Sequence, residues 1–189
     1  MRYDFLIDTY DTERIKVISA WSMFADDDLP VRNHAIDPRG RSVHEHMVHQ
    51  CVSEDVWFRT MLGIDVGGPP LPAKELRLEF IRRYEEDSGK RVGALRTRDE
   101  GWWEGETTFF DVRRSRAWVM TRRIAHTAHH RGQQLSLLRM LGREQYSNYG
   151  PTADTGGLMQ NHAPTIYPGD ARKLPGPSDK PVTERPREQ

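Results

Sequence analysis

Apolar residues recur at helical spacing in four stretches of the chain, separated by segments rich in glycine, proline or charge. From about Tyr3 to Asp28 the set is Phe5, Leu6, Tyr10, Ile15, Val17, Ile18, Trp21 and Phe24, which predicts a first helix ended by Asp26, Asp27, Asp28 and Pro30. The acidic triple opposes the helix dipole and reads as a frayed, solvated helix end rather than a cation site. A linker with Pro38 and Gly40 follows. Ser42 with Glu45 three residues on is a capping box for a second helix, from about Val43 to Leu62, which Gly63 stops. Its core face is Val43, Met47, Cys51, Phe58, Met61 and Leu62.

Gly63 to Pro72 is loop by composition. A third helix is predicted from about Ala73 to Thr97, with Leu76, Leu78, Phe80, Ile81, Tyr84, Val92 and Leu95 as its apolar set and most of its charge on a solvated face. Residues 101–110 place two Trp and two Phe between glycines. They suit a short hairpin or an irregular loop, packed over a bundle end or against a dimer partner. A fourth helix starts near Asp111 to Arg113 and runs to Gly142. The pattern is that of an all-α domain over residues 1–145, an ordered irregular extension over 146–170, where Thr152 and Asp154 line a pocket mouth or a surface loop, and a mobile Pro- and charge-rich tail over 171–189.

Composition narrows the classes of function. Lys plus Arg equals Asp plus Glu, 28 each, so no net field favours nucleic acid or an anionic membrane. The single cysteine, Cys51, has no internal disulfide partner, which fits a reducing cytoplasm. No apolar run approaches the roughly 20 residues that cross a bilayer, and the first residues lack the apolar stretch of a signal peptide.

The chemistry lies in the histidines. At 100° per residue His126 and His130 point about 40° apart, on the inward sector of the fourth helix shared by Val119 and Leu137. Two neutral imidazoles on a buried face want a partner, and a divalent ion supplies one. A third ligand must come from elsewhere. On the second helix His49 lies off the core face, flanked within about 60° by Val52, Val56 and Ser53, as a ligand projecting between helices should. His46, about 60° from His49, is the runner-up; His44 points elsewhere, and His129 lies on the far side of His126 from His130.

His49 with Glu54 and Trp57, and His126-x-x-x-His130-Arg-Gly-Gln133 running through Leu135, Leu138 and Leu141 to Gly142, resemble the DinB/YfiT-like superfamily over about residues 5–145. The stretch from Tyr149 to Gly157 is similar to one found in some bacterial members. The resemblance implies a four-helix bundle with connectivity unlike ferritin, frequent homodimers, and a divalent metal, nickel or zinc, on His49, His126 and His130. It implies no DNA-binding activity. Its members of known chemistry include thiol-dependent isomerases and S-transferases using mycothiol or bacillithiol; others, without established chemistry, have been called metal-dependent hydrolases, and many have no assigned reaction.

Three histidines leave an open coordination position, which suits activation of a water for hydrolysis or of a low-molecular-weight thiol. Hydrolysis usually wants a carboxylate near the ion. Glu45, about 40° from His49 and one turn earlier, is the single acidic residue on the histidine sectors, and this scarcity favours thiol transfer. Gly132 reads as a site of close helix approach, Arg131 as half of a structural ion pair, and Gln133 as a hydrogen-bonding group near the ion or another helix. Arg113, Arg114, Arg116, Arg122 and Arg123 read as a solvated face, with an anionic substrate second. The competing function is a non-catalytic, stress-related protein in which the metal only stabilises the bundle.

Overall fold

The computed structural model describes residues 1–34, 36 and 39–145. It is mostly helical. The long helices are α1 (Asp4–Ser22), α2 (Val43–Val56), α3 (Arg77–Arg96) and α5 (Arg116–Met140); a one-turn helix α4 (Glu100–Glu104) and a hairpin of β1 (Glu106–Phe109) and β2 (Val112–Ser115) lie between the last two. The expected extension and tail lie outside the described residues, and so do Thr152 and Asp154.

Local chemistry sets the boundaries. At the start of α2 the Ser42 hydroxyl accepts from the Glu45 N–H at 3.1 Å and the Glu45 carboxylate accepts from the Ser42 N–H at 2.8 Å, the reciprocal pair expected from sequence. Past Val56 the chain takes one π-helical turn, Trp57–Met61, in which the Leu62 N–H reaches the Trp57 carbonyl at 3.2 Å. Turns of this kind re-aim side chains within a helix. The hairpin turns through Phe110 and Asp111. Phe110 sits at φ 50°, the left-handed backbone that tight hairpins need and that an aromatic residue adopts at a cost.

Three boundaries depart from the expectations. The acidic triple is a separate 3-10 turn after α1, and Asp28 is buried, accepting from Arg143 at 2.8 and 3.0 Å, so it is no solvated helix end. α3 begins at Arg77 and leaves Leu76 and Leu78 exposed. α5 begins at Arg116, where the Ser115 hydroxyl accepts from the Trp118 N–H, because the residues before it pair as β2.

α1 packs against α3 and α5, and α2 against α5 and α3. Each long helix is apolar at both ends and polar at its buried waist. One cluster holds Leu6, Ile7 and Tyr10 of α1, the Trp57–Met61 turn, Val92 and Leu95 of α3, and Val119 and Met120 of α5. The other holds Val17 to Trp21 of α1, Val43, Met47 and Cys51 of α2, Phe80 and Tyr84 of α3, and Leu137 and Leu138 of α5. The waists between them carry buried Glu13, Glu54, Asp87, Ser88, Arg91, Arg123, Thr127, Arg131 and Gln134. The charge on α3 is partly internal, at Arg77, Asp87 and Arg91, while the greater part of it is not buried, in keeping with the solvated face its sequence suggests. The order of clusters along each helix also gives direction: α1 and α5 run one way, α2 and α3 the other.

Candidate metal centre

His126 and His130, one turn apart on α5, face His49 on α2. The Nε2 atoms of His130 and His49 are 3.0 Å apart, those of His130 and His126 are 3.2 Å apart, and the three ligand nitrogens all lie within 4.8 Å of one another. Nitrogens held at 2.0–2.1 Å around a tetrahedral ion stand about 3.3 Å apart, so these spacings suit one ion.

The hydrogen-bonding arithmetic points the same way. Nδ1 of His130 lies 3.2 Å from the Gln133 carbonyl oxygen, which accepts, so that nitrogen carries the proton and Nε2 carries the lone pair. One lone pair accepts from one ring only, yet two imidazole Nε2 atoms approach it. At least one of the two contacts is therefore not a well-formed hydrogen bond, and a cation would satisfy both. Gln133 is thus the group that orients His130, and His46 Nδ1 and His126 Nδ1 are buried without a partner among the described residues.

All these rings are held neutral. Burial, then the Arg41 charge, lowers His46 and His49 to about 4. Burial with Arg123 lowers His126 to about 3, and burial with His126 and His49 lowers His130 to about 3. Neutral imidazole is the ligand form.

The layer behind the histidines is built from residues whose roles the sequence did not disclose. The Trp57 ring lies 5.4 Å from that of His126, and the Arg123 guanidinium sits 5.5 Å from the centroid of the same side chain's ring. Arg123 is fully buried; it donates to Thr127 Oγ1 at 3.1 Å and Ser53 Oγ at 3.1 Å, and stands 3.6 Å from Glu54. Glu54, also fully buried, accepts from Tyr10 at 2.5 Å, Tyr84 at 2.9 Å and Arg91 at 3.3 Å. Burial and the Glu54 charge push both tyrosines well above their usual range, so they stay donors. Arg123 is no part of a solvated face, in contrast to Arg113, which pairs with Glu106 at the surface.

The remaining candidates separate cleanly. His46 is buried 5.6 Å from the His130 ring, centroid to centroid, outside the three-nitrogen group. His44 contacts Glu75 at 2.6 Å, and His129 lies against His130 without joining the group. Arg131 does form the buried ion pair expected of it, with Glu13 at 2.6 Å. Gly132 does not mediate close approach, since a Cβ added there meets nothing within 4 Å. Glu45, the carboxylate considered for hydrolysis, is taken by the helix cap and by Arg32 at 2.5 Å.

Beside His49 opens a cavity of about 660 Å³, walled by Arg39, Arg41, His44, Glu45, Val48, Val52 and Glu75. Its size suits a small molecule. No helix among the described residues is long and apolar enough to cross a membrane.

Comparison with known proteins bears on the fold and the family. No protein of curated function matches the sequence. A DinB-like protein from Bacillus cereus ATCC 10987 has a similar fold, with TM-score 0.63 at 18% identity over 73% of this chain and 91% of its own. Another, from Bacillus subtilis, gives TM-score 0.56 at 12% identity over 72% of this chain and 92% of its own. The family model described as DinB family matches residues 12–159, most of the chain: the chain belongs to the DinB family.

Proposed function

We propose that this DinB protein is a divalent-metal-dependent enzyme whose ion is held by His49, His126 and His130, and that it transfers a small thiol to an electrophile. The observation that carries the reading is the convergence of three neutral imidazoles on one point, with a cavity at the side of His49. An ion with an open position there supplies Lewis acidity, lowering the pKa of the thiol or water brought to it. The protein's own residues do the rest. Gln133 fixes the His130 tautomer, Trp57 covers the His126 ring, and the cavity admits and orients the substrate. In the transfer the thiol gives up its proton, sulfur bonds to the electrophilic carbon, and that carbon's leaving group departs with its electron pair.

Hydrolysis stands second, because Glu45 is committed elsewhere and no carboxylate joins the histidines among the described residues. The helix pairing is read as the four-helix bundle with connectivity unlike ferritin, forming a homodimer, with one domain over residues 1–145. Nickel or zinc is the ion expected.

Elemental analysis of the purified protein tests the first part, with one ion per chain expected and His126→Ala and His130→Ala losing it. A screen of small thiols against electrophiles tests the second. Metal-depleted protein that stays folded but no longer binds thiol supports catalysis; an ion that alters melting alone, with no thiol bound, overturns it in favour of a purely structural ion.

A further inference from the structure

Both acidic groups on the cavity wall are engaged. Glu45 caps α2 and pairs with Arg32, and Glu75 contacts His44. Arg41, on the same wall as His49, has no carboxylate within ion-pair distance among the described residues. It is exposed towards solvent at the N-terminal side of α2, and its charge is felt at both His46 and His49. A guanidinium with no carboxylate partner among the described residues, beside a small-molecule cavity, is suited to recognition: its planar fork matches a carboxylate in two parallel hydrogen bonds. Val48 and Val52 supply the apolar part of the wall, and of the three clustered histidines His49 alone lines it. A ligand seated on that wall therefore has both the Arg41 cation and the His49 ring within one cavity.

We infer that the cavity beside His49 selects small molecules bearing a carboxylate, which Arg41 receives while the thiol or electrophilic end faces His49. This rests on the metal-centre reading for what happens at the far end, but not for the anion contact itself. A monoanion is favoured over a dianionic phosphate because Glu45 and Glu75 stand on the same wall and would repel the second charge.

The test uses the full chain and two probes of similar length, 3-mercaptopropionate and 2-mercaptoethanol, with phosphate as a third arm. Affinities for protein loaded with cobalt(II) are read from its visible spectrum. The carboxylated thiol is expected to bind about ten-fold more tightly than the neutral one. Arg41→Met should remove that preference while leaving cobalt stoichiometry and the affinity for 2-mercaptoethanol unchanged, and Arg41→Lys should retain part of it. Equal affinity of the two thiols, or a preference that survives Arg41→Met, overturns the inference while leaving the metal centre standing; tighter binding of phosphate overturns the choice of carboxylate. Failure to bind cobalt defeats the functional reading instead. The anion contact is then decided on metal-free protein by titrating butyrate, a monoanion, and following the His49 ring resonances, which should move in the natural chain and stay fixed in Arg41→Met; no movement in either overturns it.

Discussion

Replacing Glu54 by glutamine removes its charge and turns one of its two acceptor oxygens into a donor while keeping the side chain's shape, which makes it a probe of the polar waist. The amide keeps the shape and one acceptor oxygen, so no cavity opens. What disappears is the negative charge between two buried guanidiniums. Arg91 retains Asp55 at 3.4 Å, but Arg123 is left with the hydroxyls of Thr127 and Ser53. An uncompensated buried cation costs about 3–5 kcal/mol. For a domain of this size each kcal/mol is worth about 2–4 °C, so Tm should fall by about 6–20 °C. Calorimetry on metal-free protein is the direct assay, with urea unfolding as a check on the free energy. Adding Arg123→Met to Glu54→Gln should recover part of the loss, since it removes the stranded charge; the double-mutant cycle isolates the pair. A fall of less than about 3 °C for Glu54→Gln, or additive losses in the cycle, would refute the view that this carboxylate neutralises the two arginines.

The other expectations are more local. Tyr84→Phe deletes one hydrogen bond to a buried carboxylate and should cost about 1.5–3 kcal/mol by urea unfolding. Gln133→Ala removes the acceptor for His130 Nδ1 and should weaken nickel or zinc binding about 10–100-fold by competitive titration, with the fold intact. Gly132→Ala, at an exposed helical site with open space for a methyl, should stabilise by up to about 1 kcal/mol, seen as a rise in the urea midpoint. Metal-free protein should lose stability as pH falls from about 6.5 towards 4. In that window the unfolded chain has protonated its histidines while His46 and His49 (about 4) and His126 and His130 (about 3) remain neutral in the fold, so the unfolded state binds more protons. A urea midpoint that is flat across that window would contradict the neutral, buried cluster.

The grouping of the three histidines was partly legible from helical periodicity: His126 and His130 share a face by spacing and His49 leaves the core stripe of α2 by angle, while His46 stayed open as an alternative until the family resemblance pointed to His49. The capping box was legible for the same local reason. What escaped is what depends on distance along the chain. Glu54 meets Tyr10, Tyr84, Arg91 and Arg123 from three other helices, and no window of sequence shows that a carboxylate so flanked is internal. Gly132 shows the converse error: a motif glycine suggested tight packing that the fold does not require. The Trp57–Met61 turn escaped too, since one extra residue per turn leaves hydrophobic periodicity nearly unchanged over so short a run.

Two of the three nitrogens come from neighbouring turns of α5, whereas the third reaches across from α2, 77 positions before His126. An ion seated on all three therefore acts as a removable staple on a long loop, and tying off a loop of that length in the unfolded chain is worth at most about 4.5 kcal/mol. His49 is the leg of the staple that spans the gap. Without it the two α5 rings can still grip an ion, but the grip no longer ties the halves of the chain together, so occupancy and melting temperature would come apart.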